Sequence, residues 1–292
     1  MPEPDPDATI GEVLRKVHAR TREDVGGGQA LEEAARRIFA HLRDEANRAL
    51  CASAVTALQA DIVLSQTTLQ DAVCAALLDK LACADSRRTG ADADSHRASM
   101  REMFAERLSR PHILQALLAD LAKAWVADPA TQSVWQAIFL LKGFLALATY
   151  RIGHSLWLDG GEVHRAIALW LQSRVAEVFG VDIHPAAQIG DGVMLDHATG
   201  VVVGATAVVG SDVYMLHGVT LGATGKAPHG AAKRHPTVGR GCVLGAMSAV
   251  LGDISIGDGA TVGSHAVVTK SVPPGATVVG VNQLRPARMA RL

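Results

Sequence analysis

The stretch VGRGCVLGAMSAVLGDISIGDGATVGSHAVV, residues 238–268, decides the fold. Aliphatic residues fall on every sixth position: Val238, Leu244, Val250, Ile256, Val262 and Val268. Glycine follows at Gly239, Gly245, Gly257 and Gly263. Neither the 3.6-residue period of a helix nor the two-residue period of an ordinary strand gives that beat. A fixed period means a repeat architecture. Six residues make one side of a triangular coil, a short strand whose aliphatic residue faces a narrow axis, and small residues turn the corner. The same step runs upstream through Ile183, Ile189, Leu195, Val201, Ala207, Val213 and Val219, with Ala207 the one departure from Val, Ile or Leu. The pattern predicts a left-handed parallel β-helix of hexapeptide repeats with three sides per coil. Between Val219 and Val238 the beat is lost, and the polar, Gly-rich LGATGKAPHGAAKRHP (221–236) reads as a protruding loop. Loops held on rigid scaffolds often carry function.

Upstream of residue 180 the composition changes. Ten of the 11 aromatic residues lie there, whereas 18 of the 28 glycines lie in the remaining 112 residues. A narrow axis has no room for aromatic rings. Residues 29–49 place Leu31, Ala34, Ala35, Ile38 and Leu42 at helical spacing, and similar patterns cover 52–64, 67–83, 98–108, 112–127, 132–158 and 162–178. Breakers separate them at Gly26–Gly28, Gly90, Pro111, Pro129 and Gly160–Gly161. The expected class is α+β: a mobile segment over 1–28, a helical domain over 29–180, the β-helix over 181–273 and a short tail over 274–292. Residues 84–97 also read as mobile.

Across 292 residues, 28 Lys and Arg meet 29 Asp and Glu, for a formal net charge of −1, which excludes a strongly basic nucleic-acid binder. No apolar run approaches the roughly 20 residues of a membrane span. The start MPEPDPDATIGEV lacks the features of a secretion signal. Cys51, Cys74, Cys83 and Cys242 make neither a disulfide framework nor a CxxC pair, and read as small fillers. The expectation is a cytoplasmic protein with neither nucleic acid nor membrane as partner.

Titratable residues inside an apolar solenoid need a reason. Asp182 precedes the first hexad, and Asp196-His197 lie in the third. Asp182 and His197 are 15 residues apart, nearly one 18-residue coil, so they can lie on neighbouring coils. A carboxylate on one ring nitrogen fixes a histidine's tautomer and supports its use as a base near neutral pH. The other reading is a surface histidine at a coil corner. His184, His217, His235 and His265 also fall in the repeats or the loop. Their spacing gives no close ligand pair outside the loop, and no metal is expected. LGATGK (221–226) lacks the spacing of a phosphate-binding P-loop; it is either a flexible loop or a set of amides with Lys226 near a phosphate-bearing ligand.

YRIGH (150–154), DIHPAA (182–187), LDHATG (195–200), HGVTLGATGK (217–226) and RHP (234–236) together resemble the serine O-acetyltransferase family. The resemblance covers about residues 112–281. It implies transfer of an acetyl group from acetyl-CoA to the hydroxyl of L-serine, in cysteine synthesis. It implies His197 as general base, Asp182 as its orienting carboxylate, and Asp128, Asp196, Arg234 and His235 as holders of the amino acid. An Arg for the carboxylate and two Asp for the ammonium suit a zwitterion. Gly222, Ala223, Lys226, Ala246 and Ser264 would take the CoA arm across the interface of a trimer, and the family pairs trimers into hexamers through the helical domain. Three departures stand out: Ala205 where the family usually has Glu, Ala223 where it has Gly, and a chain stopping at Leu292, soon after the last hexad. Many members carry a longer tail that docks into cysteine synthase, so that partnership is put in doubt here. The other readings are an O-acetyltransferase for another small acceptor, such as homoserine or a sugar, and a catalytically silent β-helix in an assembly.

Overall fold

The computed structural model describes residues 6–23, 28–50, 60–82, 91–225 and 233–280. From residue 181 the chain winds into a left-handed β-helix of about five coils. One side stacks β1 (Val181–Ile183), β4 (Val201–Val203), β7 (Thr220–Gly222), β10 (Ala249–Leu251) and β13 (Val267–Val268). The second stacks β2 (Gln188–Ile189), β5 (Val208–Val209), β8 (Thr237–Val238) and β11 (Ser255–Ile256). The third stacks β3 (Met194–Asp196), β6 (Tyr214–Leu216), β9 (Val243–Leu244), β12 (Thr261–Val262) and β14 (Thr277–Val278).

The register corrects the six-residue step at one corner. Ile183, Val203, Leu221, Val250 and Val268 stack in one buried column. Leu195 stacks on Met215 and Met215 on Leu244. From Leu195 to Val203 the chain takes eight residues, not six, because the corner between β3 and β4 is two residues longer. That corner carries His197 and Ala198, both in left-handed backbone at φ 57° and 56°. Val181 therefore pairs with Val201, twenty residues on, whereas Thr237 pairs with Ser255, eighteen on. Val201, Ala207, Val213 and Val219 are buried too, two residues ahead of the stacked positions, which is how the slip escapes a count of aliphatic residues. The interruption after Leu221 inserts eleven residues where Val238 would otherwise follow by six. Residues 226–232 of that loop lie outside the described residues.

Ahead of the coils are α1 (Pro6–Glu23), α2 (Gly28–Leu50), α3 (Leu69–Ala82), α4 (Ala91–Leu108), α5 (Pro111–Ala127), α6 (Val134–Phe139), α7 (Lys142–Asp159) and α8 (Glu162–Phe179). Three expectations change. Residues 6–23 are not a mobile segment: Ile10, Val13, Leu14 and Val17 recur at helical spacing and are buried against α2 and α5. Residues 91–97 belong to α4. The expected helix over 132–158 breaks at Leu140–Leu141, and Gly143 at the start of α7 then lies flat on β3, where an added Cβ would sit 2.0 Å from the Leu195 carbonyl oxygen. Residues 52–59, 84–90 and 281–292 lie outside the described residues.

α8 ends on Gly180 in left-handed backbone (φ 70°), which turns the chain directly into β1. The YRIGH segment fastens α7 to the first coil. Tyr150 donates to the Ala187 carbonyl (2.6 Å) and the His154 ring meets the Pro185 carbonyl (2.7 Å). Arg151 pairs in two places with buried Asp120 of α5 (2.6 and 2.8 Å) and donates to the Gly190 carbonyl. One hydrophobic core runs from Leu14 to Val268 without a break. No described helix is long and apolar enough to cross a membrane.

Candidate active site

Where the start of α7 meets β3, a cavity of about 390 Å³ opens, lined by Asp128, Lys142, Leu147, Asp196, His197 and Thr199 among others. Asp128 follows α5, and its carboxylate shapes its own turn, accepting from the Ala130 N–H (2.8 Å) and the Thr131 hydroxyl (2.7 Å). Asp196 ends β3 and accepts from the Tyr214 hydroxyl one coil away (2.7 Å). Burial and that neighbouring carboxylate push the Tyr214 hydroxyl up from its usual pKa, so it remains a donor. His197 stands at the extended corner with its side chain 75% exposed. Its Nε2 lies 3.7 Å from Asp196 Oδ1, and its ring meets the His217 ring edge-on at 5.9 Å. Lys142 at the start of α7 bonds Thr199 across the same corner. Two carboxylates and a solvent-facing imidazole can hold an ammonium group and take a proton beside it.

A second group lies across the width of the first sheet, where β7 gives way to the loop and β8. The His235 ring is buried, and its Nδ1 accepts from the Thr206 hydroxyl (2.8 Å) and N–H (3.2 Å), which leaves its proton on Nε2. Gly204 makes room for it: an added Cβ would sit 2.0 Å from His235 Nε2. Burial, then the Arg234 and Lys233 charges, push the His235 pKa down. His184 is pushed down by burial too, with Asp182 opposing and Arg234 adding to it, and packs edge-on against Trp157 at 5.2 Å. Asp182 accepts from Gln172 of α8 (2.6 Å).

Within one chain, Asp182 and His197 therefore do not pair. The longer first coil sets Asp182 beside Val202, five residues past His197, and the carboxylate nearest the ring is Asp196. The expected acceptor residues divide the same way, with Asp128 and Asp196 beside His197, and Arg234 and His235 at the far corner. So do the expected cofactor residues. Ala246 and Ser264 continue the corner of His197 and His217 through later coils, where the Met247 N–H donates to the His217 carbonyl and the His265 N–H to the Ala246 carbonyl. Gly222 and Ala223 sit where the loop departs, and Lys226 lies outside the described residues. Sequence reasoning passed over Tyr214, Lys142, Thr206 and Gly204. Gly204 alone left a sign, as a glycine just ahead of a buried corner. Among the described residues, no group of three or more His, Cys, Asp or Glu is placed to hold a metal ion.

Comparison with known proteins agrees across both parts of the chain. The family described as "Serine acetyltransferase, N-terminal" matches residues 38–149, and "Bacterial transferase hexapeptide (six repeats)" matches 235–270. Serine acetyltransferase 2 of Arabidopsis thaliana is 52% identical over 180 residues, covering 62% of this chain but only 53% of that protein, about half its length. Among solved structures, soybean serine acetyltransferase complexed with serine aligns with a TM-score of 0.75 at 40% identity, over 83% of this chain and 95% of that one. A serine acetyltransferase in complex with CoA aligns with a TM-score of 0.74 at 36% identity, over 85% and 98%. The chain belongs to the serine acetyltransferase family.

Proposed function

We propose that this protein transfers the acetyl group of acetyl-CoA to the hydroxyl of L-serine, giving O-acetyl-L-serine and CoA for cysteine biosynthesis. The observation that carries the reading is the cavity at the β3–β4 corner, where Asp128 and Asp196 flank the open imidazole of His197. Support comes from the solved relatives, one of which holds serine and another CoA. His197 is the general base. It takes the serine hydroxyl proton as Oγ attacks the thioester carbon; the C–S bond then breaks, and the same proton passes to the leaving CoA sulfur. No covalent enzyme intermediate is needed, because holding both substrates side by side supplies the proximity.

Asp128 and Asp196 hold the ammonium, and Arg234 with His235 hold the carboxylate. Because those two pairs stand at different corners of the β-helix, we infer that the complete site forms between neighbouring copies of a trimer, paired further into a hexamer through the helical domain. The partner copy's far corner then also brings an Asp182 toward His197. The CoA arm lies along the corner that carries His197, His217, Ala246 and Ser264. Coils stack about 4.8 Å apart, so the corner offers an extended arm a straight track, and Met247 exposes its apolar side chain on it.

A thiol-release assay with acetyl-CoA and serine, homoserine or no acceptor tests the reading. Serine-dependent thiol release is expected, and His197→Ala is expected to lose at least about 10²-fold in kcat with little change in the KM for acetyl-CoA. Near-full turnover by that variant would sink the assignment of the base. Equal thiol release without acceptor would sink the reaction.

A further inference from the structure

Asp196 holds its two carboxylate oxygens in different surroundings. Oδ2 accepts a hydrogen bond of 2.7 Å from the Tyr214 hydroxyl, whereas Oδ1 lies 3.7 Å from His197 Nε2, too far for a bond. The firm partner of Asp196 is therefore not the base. Register places that partner. Met215 is buried in the axis, so its neighbour Tyr214 points to the outer face of the third sheet, the face that also carries Asp196. Tyr214 stacks on Met194 and Asp196 on Leu216, so the phenol reaches one coil back and two residues along to meet the carboxylate. A long aromatic side chain spans such a diagonal, and a hydroxyl on a one-carbon stem would fall short.

The site is left with negative charge and neutral donors. Asp128 is fixed by the Ala130 N–H and the Thr131 hydroxyl, and Asp196 by a phenol. Among the described residues no Lys or Arg pairs with either carboxylate. Burial, then the Asp196 and Asp128 carboxylates, push the Tyr214 hydroxyl up, so it keeps its proton and stays a donor. An incoming ammonium supplies the missing cation. It gains most from a carboxylate already turned toward it, because a carboxylate free to rotate spends part of its time facing the His197 ring or water.

We propose that Tyr214 is a positioning residue for the acceptor: its hydroxyl fixes Asp196 Oδ2, leaves Oδ1 free for the ammonium, and so makes the site select hydroxy compounds that carry an ammonium over those that do not. This rests on the acetyl-transfer reading above. Tyr214 touches neither the serine hydroxyl nor the thioester and moves no proton. It acts through Asp196.

Tyr214→Phe keeps the ring and removes only the hydroxyl. In the full-length enzyme it is expected to lower kcat/KM for serine by about tenfold, the size usual for a hydrogen bond to a charged group, through KM, with kcat and the KM for acetyl-CoA within about threefold of the parent. Two comparisons separate this role from packing. With 3-hydroxypropanoate, which keeps the hydroxyl and carboxylate of serine and lacks the ammonium, the same substitution is expected to change kcat/KM by less than about threefold. In an Asp196→Asn background it is expected to change kcat/KM for serine by less than about threefold, because the charge it acts through is gone. An unchanged kcat/KM for serine in Tyr214→Phe overturns the proposal. So does a loss carried by kcat alone, an equal loss with 3-hydroxypropanoate, or an equal loss in the Asp196→Asn background. Calorimetric binding of serine to the parent and to Tyr214→Phe reads the contact without turnover, and binding weakened by about tenfold is expected. Equal binding, or none to either protein, overturns the proposal, whereas a parent that binds serine but releases no acceptor-dependent thiol strikes only at the reaction.

Discussion

His197 and Ala198 hold left-handed backbone side by side, a conformation that costs non-glycine residues of the order of 1 kcal/mol each. The surrounding coils over-determine it, and the result is an imidazole lifted clear of the barrel wall. LDHATG marked the residue, but the two-residue lengthening of its corner was illegible, because Val201, Ala207, Val213 and Val219 continue the apparent beat. Asp182 lies beside Val202, and even an eighteen-residue coil would set it beside Gly200, three residues past His197. Gly204 shows the opposite case, a residue whose meaning lies wholly in what it leaves empty. Gly204→Ala drives a methyl group into the His235 ring, and the ring must leave Thr206. The expected loss is about 1–3 kcal/mol of stability together with a raised KM for serine. In a His235→Ala background the same substitution should be nearly silent in thermal unfolding. An equal loss in both backgrounds would mean that the methyl group clashes with something else.

At the scale of elements, the pair formed by Arg151 and Asp120 joins α7 to α5, and each partner also binds the first coil. Arg151 reaches the Gly190 carbonyl, and Asp120 accepts from the Val193 N–H (2.9 Å). Both are almost fully buried. Burial disfavours the Asp120 charge, while the guanidinium and the N–H favour it. Removing one partner strands the other charge, so Arg151→Met should lower stability by about 3–5 kcal/mol. Arg110→Met breaks a half-exposed pair with Asp159 and should cost less than about 1 kcal/mol. Urea unfolding of the two variants tests the contrast, and similar midpoints would mean that the α7–coil junction does not hold the fold together. YRIGH was legible as a family mark; that it is a fastening was not, because its partners lie 30 to 40 residues away. α1 is legible in its spacing rather than its composition: Ile10, Val13, Leu14 and Val17 stand at helical spacing behind an acidic, Pro-rich start.

The whole molecule explains why one chain holds its chemistry in two places. A triangular coil can present residues only at its corners or on its flat sides, and the first side separates His197 from Arg234. In the trimer proposed above, packing identical coils around a threefold axis would set one copy's base corner against the next copy's loop corner, and each interface would supply a full set of groups. The amino-acid pattern carried both sets but not the wall between them, since spacing along a chain says nothing about which face a neighbour covers. The arrangement makes a sharp prediction. His197→Ala and Arg234→Ala trimers should each be nearly inactive. Unfolded together in equal amounts and refolded, they should recover activity, because an interface that takes its base from the Arg234→Ala copy and its guanidinium from the His197→Ala copy is intact. Random assortment makes about a quarter of the interfaces whole, so thiol release should approach a quarter of the parent rate. A mixture as inactive as its two components would place both groups of each working site in a single chain.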